Sequence, residues 1–175
     1  SVTLVAGKTS VPLPGGMEVV SVVSAQDMLR EVMARLPETD IVMKAAAVAD
    51  YRPKTKSPVK IKKSGEEMTL TLVKNPDILQ QIGEAKTTQF VVGFAAETDH
   101  LEQHAMDKLR RKRCDLIVAN DVGREGAGFG TDTNIVSIFD ANGLVAEWPQ
   151  MTKREVAVSL LRLVAERLER AGDRA

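Results

Sequence analysis

Five lysines, Lys54, Lys56, Lys60, Lys62 and Lys63, fall within a stretch of ten residues that contains no acid. The chain as a whole carries 24 basic and 24 acidic side chains and no net charge, so this is a local excess. In "KIKK" (60–63) a strand's alternation would place Lys60 and Lys62 on one face and Ile61 on the other. A lysine fixed in that way can hold a phosphate or a developing anion. Just upstream, the apolar run "IVMKAAAV" (41–48) ends at Asp50, followed by Tyr51, Arg52 and Pro53. The small side chains of Ala45, Ala46 and Ala47 let a ligand approach the backbone beside Lys44. A carboxylate at the carboxyl edge of a parallel sheet, as Asp50 would be, either caps the loop or is solvated there, or meets a ligand at the edge where such sheets bind them. Arg52 and Pro53 read as the stiff base of the lysine-rich flap, and Tyr51 as its packing anchor.

Two further stretches fit an anionic ligand. "NPDI" (75–78) starts a helix, with Asn75 as N-cap and Pro76 in the first turn. The free N–H groups of such a start, with the positive end of the helix dipole, form an anion site. In the helix expected over 99–114, Leu101, Ala105 and Leu109 form the apolar stripe. Lys108 and Lys112 fall within about 20° of Leu101, at the edge of the buried face. They either snorkel to water or meet something negative. Other chemistries fit less well. His100 and His104 share a helix face but lack a clear third ligand, and the helix surface suits them. Cys114 has no CxxC partner, and burial suits it. "GREGAGFG" (123–130) is glycine-rich but leads into "DTNIVSIF", not a helix, so it is not a dinucleotide fingerprint.

The elements that must carry these residues can be placed in order. Strands are expected at 1–7, 17–23, 40–48, 89–97 and 115–120, and helices at 24–36, 75–86, 99–114 and 152–171. Ser24 with Asp27, and Thr152 with Glu155, are capping-box pairs. The last helix presents Ala157, Leu160, Leu161, Val164 and Leu168 as its stripe. "KIKK" and "EMTLTLV" (67–73) are expected to pair as a hairpin within a flap at 54–74. "ANG" (141–143) joins another pair of strands. Alternating strands and helices with apolar strand cores give an α/β fold: a Rossmann-like, mostly parallel sheet flanked by helices, with a projecting antiparallel hairpin. In such sheets ligands bind beyond the carboxyl ends of the strands, here at "VADYRP", "FAAET" and "NDVG", and at the helix start "NPDI".

The bulk numbers set limits. The 175 residues suit one domain. Zero net charge and 3% aromatic residues argue against a nucleic-acid binder, and no apolar run reaches the ~20 residues that span a bilayer. One cysteine forms no internal disulfide and fits a reducing, cytoplasmic setting.

The motifs "AAVADYRP", "KIKK", "LVKNPDIL", "VVGFAAET", "DLIVANDV" and "GFGTDTNIVSI" occur in this order. In order and spacing they resemble the phosphopantothenoylcysteine synthetase half of the bacterial bifunctional coenzyme A biosynthesis protein (Dfp), over nearly the whole chain. The resemblance implies a ligase that joins 4′-phosphopantothenate to cysteine using CTP and Mg²⁺ through an acyl-cytidylate. It implies a homodimer paired through the projecting strands, and a decarboxylase half with its flavin that this chain does not contain. It places CTP on the backbone of Lys44, Ala45 and Ala46, with Asp50 on the ribose and Lys60 on the triphosphate and the transition state. Pro76, Asp77, Ile78 and Leu79 would supply helix-start contacts, Phe94 a wall near the base, and Lys108 and Lys112 further nucleotide contacts. Mg²⁺ would arrive on the triphosphate, with no protein ligands. Asn120 and Asp121, at a strand end, are candidates for the substrate site. Family members open with a further strand, an "AGGT"-like loop and an "SNxSSG"-like segment. This chain starts one strand later and is therefore expected to be N-terminally incomplete. The alternative from another class is a non-catalytic nucleotide-binding α/β module.

Overall fold

The computed structural model describes residues 1–63, 65–97, 99–123 and 130–172. It contains two compact units: Ser1–Thr39 with Ala46–Thr87, and Asp40–Ala45 with Thr88–Ala175.

In the first unit, β1 (Thr3–Ala6) and β2 (Glu18–Ser21) pair in parallel. Helix α1 (Ala25–Arg35) begins with the expected capping box. Ser24 Oγ accepts from the Asp27 N–H at 3.1 Å, and the Asp27 carboxylate accepts from the Ser24 N–H at 3.1 Å. The Ser24 hydroxyl, donating to the Asp27 carboxylate at 2.6 Å, does most to hold that carboxyl below the usual range, followed by Arg30 and the Ser24 N–H. Ala6, Val22, Met28, Leu36, Ile78, Leu79 and Ile82 are its buried apolar residues.

The flap is built differently from the expected hairpin. Its two strands are β4 (Tyr51–Pro53) and β5 (Leu72–Lys74), antiparallel, with Arg52 opposite Val73. Residues 60–63 belong to neither strand and are exposed. The alternation in "KIKK" therefore has no ladder to fix it, since a strand forms only where its backbone groups find partners. Helix α2 (Ile78–Ala85) also starts later than expected. Asp77 is its N-cap, with the carboxylate accepting from the Gln80 N–H at 3.0 Å. Tyr51 is 55% exposed and anchors nothing by burial.

The second unit holds a five-stranded sheet in the order β3 (Ile41–Lys44), β6 (Phe90–Glu97), β7 (Leu116–Asp121), β8 (Thr133–Asp140) and β9 (Gly143–Thr152). The first three strands are parallel and the last two antiparallel. Gly143, with φ 117°, closes the β8–β9 turn, a conformation open to glycine. Pro149 sits on edge strand β9 where the register shifts, the place a sheet tolerates a missing donor.

Val92, Leu116, Val118, Val136 and Ile138 bury one face beneath helix α4 (Lys153–Gly172), through Val156, Leu160 and Val164. The helix stripe is thus rotated from the expected one: Ala157 and Leu161 face outward, Leu161 being 56% exposed. Helix α3 (Leu101–Lys112) runs along β6, β7 and β8 and buries Ala105 and Leu109. It ends at Arg113, in the left-handed conformation common at helix termini. Asp115 ties the next strand in register, its carboxylate accepting from the Val91 N–H at 2.7 Å. At the far end Arg167 donates to Asp140 at 2.6 Å, joining α4 to the β8–β9 turn.

Candidate functional site

The run "IVMKAAAV" is a strand for only half its length. β3 stops at Lys44, opposite Gly93, whereas β6 continues to Glu97. Ala45, Ala46 and Ala47 lie beyond it and are exposed. The apolar composition suggested a longer strand, but alanine is a poor strand former and covers little surface. The outcome is a short exposed stretch with small side chains just past the end of β3.

In the first unit, Asp50 and the helix-start residues are held together by Asn75. Its N–H donates to the Asp50 carbonyl at 2.7 Å, and its Nδ2 donates to the Ala49 carbonyl at 2.8 Å. Arg52 donates to Asn75 Oδ1 at 3.2 Å and to the Lys74 carbonyl at 2.5 Å. Asn75 is thus a latch between the end of the alanine run and the approach to α2. Pro76 joins that latch to the cap. Ile78 and Leu79 are buried, so their side chains serve the core and only backbone is left for a ligand. The capping carboxylate of Asp77 takes one donor that an anion would otherwise use. Lys60 is exposed and lies outside any strand or helix, between β4 and β5 in the chain.

In the second unit the sheet's pleat sorts the candidates. Phe94 pairs with Val118 and Asn120 pairs with Ala96, so Phe94 and Asn120 share the face packed by α4. Lys44 pairs with Gly93, and Glu97 with Asp121, on the opposite face. Helix α3 serves that second face. Its His104 lies 3.1 Å from the Glu97 carboxylate. Glu97, His104, Asp107, Lys108 and Arg111 line a groove of about 340 Å³. Lys112 is buried at 6% exposure and Lys108 is half-buried, as the 100° helical projection required. Sequence reasoning missed Glu97 and its contact with His104. The signal was present: an acid ends β6, and a histidine lies on the helix that follows. Most of the glycine-rich stretch, residues 124–129, falls outside the described residues. Among the described residues, no group of three His, Cys, Asp or Glu side chains could hold a metal ion, and His100 and His104 form no such site. Cys114 is buried. No helix among the described residues is long and apolar enough to cross a membrane.

A mixed sheet of three parallel and two antiparallel strands, packed by α3 and α4, defines the second unit as an α/β domain. Residues 1–168 match the DNA/pantothenate metabolism flavoprotein C-terminal domain, and the chain belongs to that family. It is 47% identical over 174 residues to the coenzyme A biosynthesis bifunctional protein CoaBC of Bacillus subtilis, covering 99% of this chain and 43% of the relative. The CoaBC protein of Escherichia coli strain K12 is 44% identical over 147 residues, covering 82% of this chain and 36% of the relative. The chain thus spans less than half the length of these curated relatives. The crystal structure of the C-terminal domain of a CoaBC protein matches with a TM-score of 0.78 and 43% identity, covering 95% of this chain and 76% of that one. A Cab2 variant in complex with phosphopantothenate-cysteine shares the fold alone, at TM-score 0.60 and 18% identity, over 86% of this chain and 55% of that one.

Proposed function

We propose that this chain is a phosphopantothenate–cysteine ligase domain of coenzyme A biosynthesis, using CTP. The observation that carries the proposal is the 47% identity to a CoaBC protein across 99% of the chain, which takes in every candidate segment. In the proposed reaction the carboxylate of 4′-phosphopantothenate attacks the α-phosphorus of CTP. An acyl–O–P bond forms, the bond to the β-phosphate oxygen breaks, and pyrophosphate leaves. The amine of cysteine then attacks the acyl carbon, loses a proton and expels CMP, leaving an amide.

The residues have roles that fit this chemistry. The segment Lys44, Ala45 and Ala46, at the end of β3, receives the nucleotide, and Asp50 accepts from its ribose. Backbone at Pro76, Asp77, Ile78 and Leu79 contributes at the helix start. Phe94 borders the base, and Lys108 and Lys112 add positive charge for the phosphates. Lys60 reaches the triphosphate from the flap. Because it lies on a loop, its ordering would accompany ligand binding, which sequesters a reacting centre from water. Mg²⁺ enters on the triphosphate, in keeping with the ion's habit of keeping phosphate and water ligands. The exposed apolar residues of the flap, Val59, Ile61, Met68 and Leu70, support pairing with a second copy in a homodimer. We also place the ligase in the cytoplasm, beside a decarboxylase half.

The test is pyrophosphate release from CTP, Mg²⁺ and 4′-phosphopantothenate by the protein. Lys60→Ala is expected to lower kcat/KM by at least about tenfold, or ~1.4 kcal/mol. Wild-type protein that binds CTP and releases no pyrophosphate would instead support the non-catalytic module.

A further inference from the structure

β8 runs antiparallel to β7, so its first residues lie beside the carboxyl end of β7, where ligands of such sheets bind. Asn120 pairs with Val136, which places Asn134 diagonally across from Asn120 on the same face. The two carboxamides meet there: Asn120 Nδ2 donates to Asn134 Oδ1 at 3.4 Å. The other end of the Asn120 amide, Oδ1, is buried and has no hydrogen-bond partner among the described residues. A buried carbonyl oxygen without a donor is costly, on the order of 1–3 kcal/mol, and such groups in native proteins call for an explanation.

The surroundings narrow what could meet it. Ala96 and Val136 flank Asn120 on this face, with Phe94, Trp148 and Met151 packed on the adjoining core. Of the acids at this end of the sheet, Glu97 and Asp121 pair with each other on the opposite face, Asp132 precedes β8, and the Glu155 carboxylate is taken up by Thr152 at the head of α4. Among the described residues no carboxylate is hydrogen-bonded to the Asn120 side chain, so an ammonium brought to its Oδ1 would be met there by a neutral amide alone, an expensive way to place a charge. A neutral donor avoids that cost.

We infer that Asn134 is a positioning residue. It holds the Asn120 carboxamide so that Oδ1 accepts a hydrogen bond from a neutral N–H or O–H of the acid substrate. This rests on the ligase proposal, in which the acid substrate is 4′-phosphopantothenate, whose amide and hydroxyl groups carry that chemistry. Without an acceptor at position 134 the Asn120 amide can rotate, and its oxygen no longer faces the substrate.

The experiment measures KM separately for 4′-phosphopantothenate, CTP and cysteine. Asn134→Ala and Asn120→Ala are each expected to raise KM for 4′-phosphopantothenate by about fivefold or more, the size of one lost hydrogen bond, with the other two KM values within about twofold. Asn134→Asp keeps an acceptor for Asn120 Nδ2 and is expected to restore the wild-type value. Substrate analogues separate the two donors: one with the amide N–H methylated, and one with the free hydroxyl removed. Whichever analogue carries the effect is expected to be equally poor for wild type and for Asn120→Ala. If neither Asn134→Ala nor Asn120→Ala changes that KM, the oxygen merely holds a water and the inference fails while the ligase stands. Should Asn134→Ala not fold, Asn120→Ala decides alone. If wild type releases no pyrophosphate, the ligase proposal fails and takes this one with it. A rise in KM for cysteine alone would also overturn it, by showing an ammonium where a neutral donor is expected.

Discussion

Asn75→Asp separates two ways of building the helix start. Were Asn75 the N-cap, aspartate would replace it at almost no cost, because the two are equivalent caps. In the structure Asp77 is the cap, and the Asn75 side chain is a donor to the Ala49 carbonyl at 2.8 Å. Aspartate there loses that bond, about 0.5–1.5 kcal/mol, and sets a carboxylate oxygen against a carbonyl oxygen. A stronger contact with Arg52, which already donates to Asn75 Oδ1 at 3.2 Å, offsets part of this. The Arg52 bonds are largely exposed, so that offset is only a few tenths of a kcal/mol. The expected net is about 1 kcal/mol of local destabilisation, or roughly fivefold in the opening equilibrium. Asn75→Ala loses both side-chain bonds and is expected to cost about 1–2 kcal/mol. Native-state hydrogen exchange reads this directly at the Asn75 amide, bonded to the Asp50 carbonyl, and at the Lys54 amide, bonded to the Thr71 carbonyl. In parallel, Asp77→Ala is expected to cost about 1 kcal/mol of helix stability. Asn75→Asp with unchanged exchange, together with a neutral Asp77→Ala, would refute the latch and restore Asn75 as the cap.

The rotated stripe of α4 predicts that Leu160→Ala, at 3% exposure, costs about 2–5 kcal/mol in denaturant unfolding. Leu161→Ala, at 56% exposure, is expected to stay within about 0.5 kcal/mol of wild type. At the head of α4 the Glu155 carboxylate accepts from the Thr152 hydroxyl and N–H at 2.7 and 2.8 Å, and the hydroxyl contributes most to holding its carboxyl below the usual range. A lowered folded-state value stabilises the protein above the ordinary glutamate range and is lost as pH falls through it. Glu155→Gln should therefore flatten the acid limb of a thermal-melt pH series and leave the neutral limb's slope unchanged. Among the described residues, Arg167→Met leaves the buried Asp140 carboxylate with the Asn142 N–H alone, at 2.8 Å. It is expected to lower thermal stability, whereas the paired change with Asp140→Asn should recover part of the loss.

Much of the architecture followed from local rules. The Ser24–Asp27 and Thr152–Glu155 boxes are written within four residues, so each could be read without a fold. The apolar runs at 90–97 and 116–121 form the central strands because both faces are covered by helices. The 100° projection put Lys108 and Lys112 at the edge of the buried face and left open whether they reach water; Lys112 turns out buried. Where partners are distant in sequence, these rules misled. The alternation at 60–63 and 67–73 resembled a hairpin, yet the ladder closes between 51–53 and 72–74. Asn75 had the composition of a cap but bonds back to residues 49 and 50. The α4 stripe shifted because Val156 and Leu163, not Ala157 and Leu161, meet the sheet.

The sequence alone determined most of the order of elements, the capping boxes of α1 and α4, the α/β class and the family resemblance, because these rest on contacts between near neighbours and on the spacing of apolar residues. Only the tertiary structure decided which strand stops short, which face each sheet residue takes and which donor meets which acceptor. Lys44 ends β3 because the ladder with β6 ends there, and Asn120 meets Asn134 because β8 returns antiparallel along β7. Those outcomes depend on the register between segments remote in sequence, where shifting a strand by one residue sends every side chain to the other face.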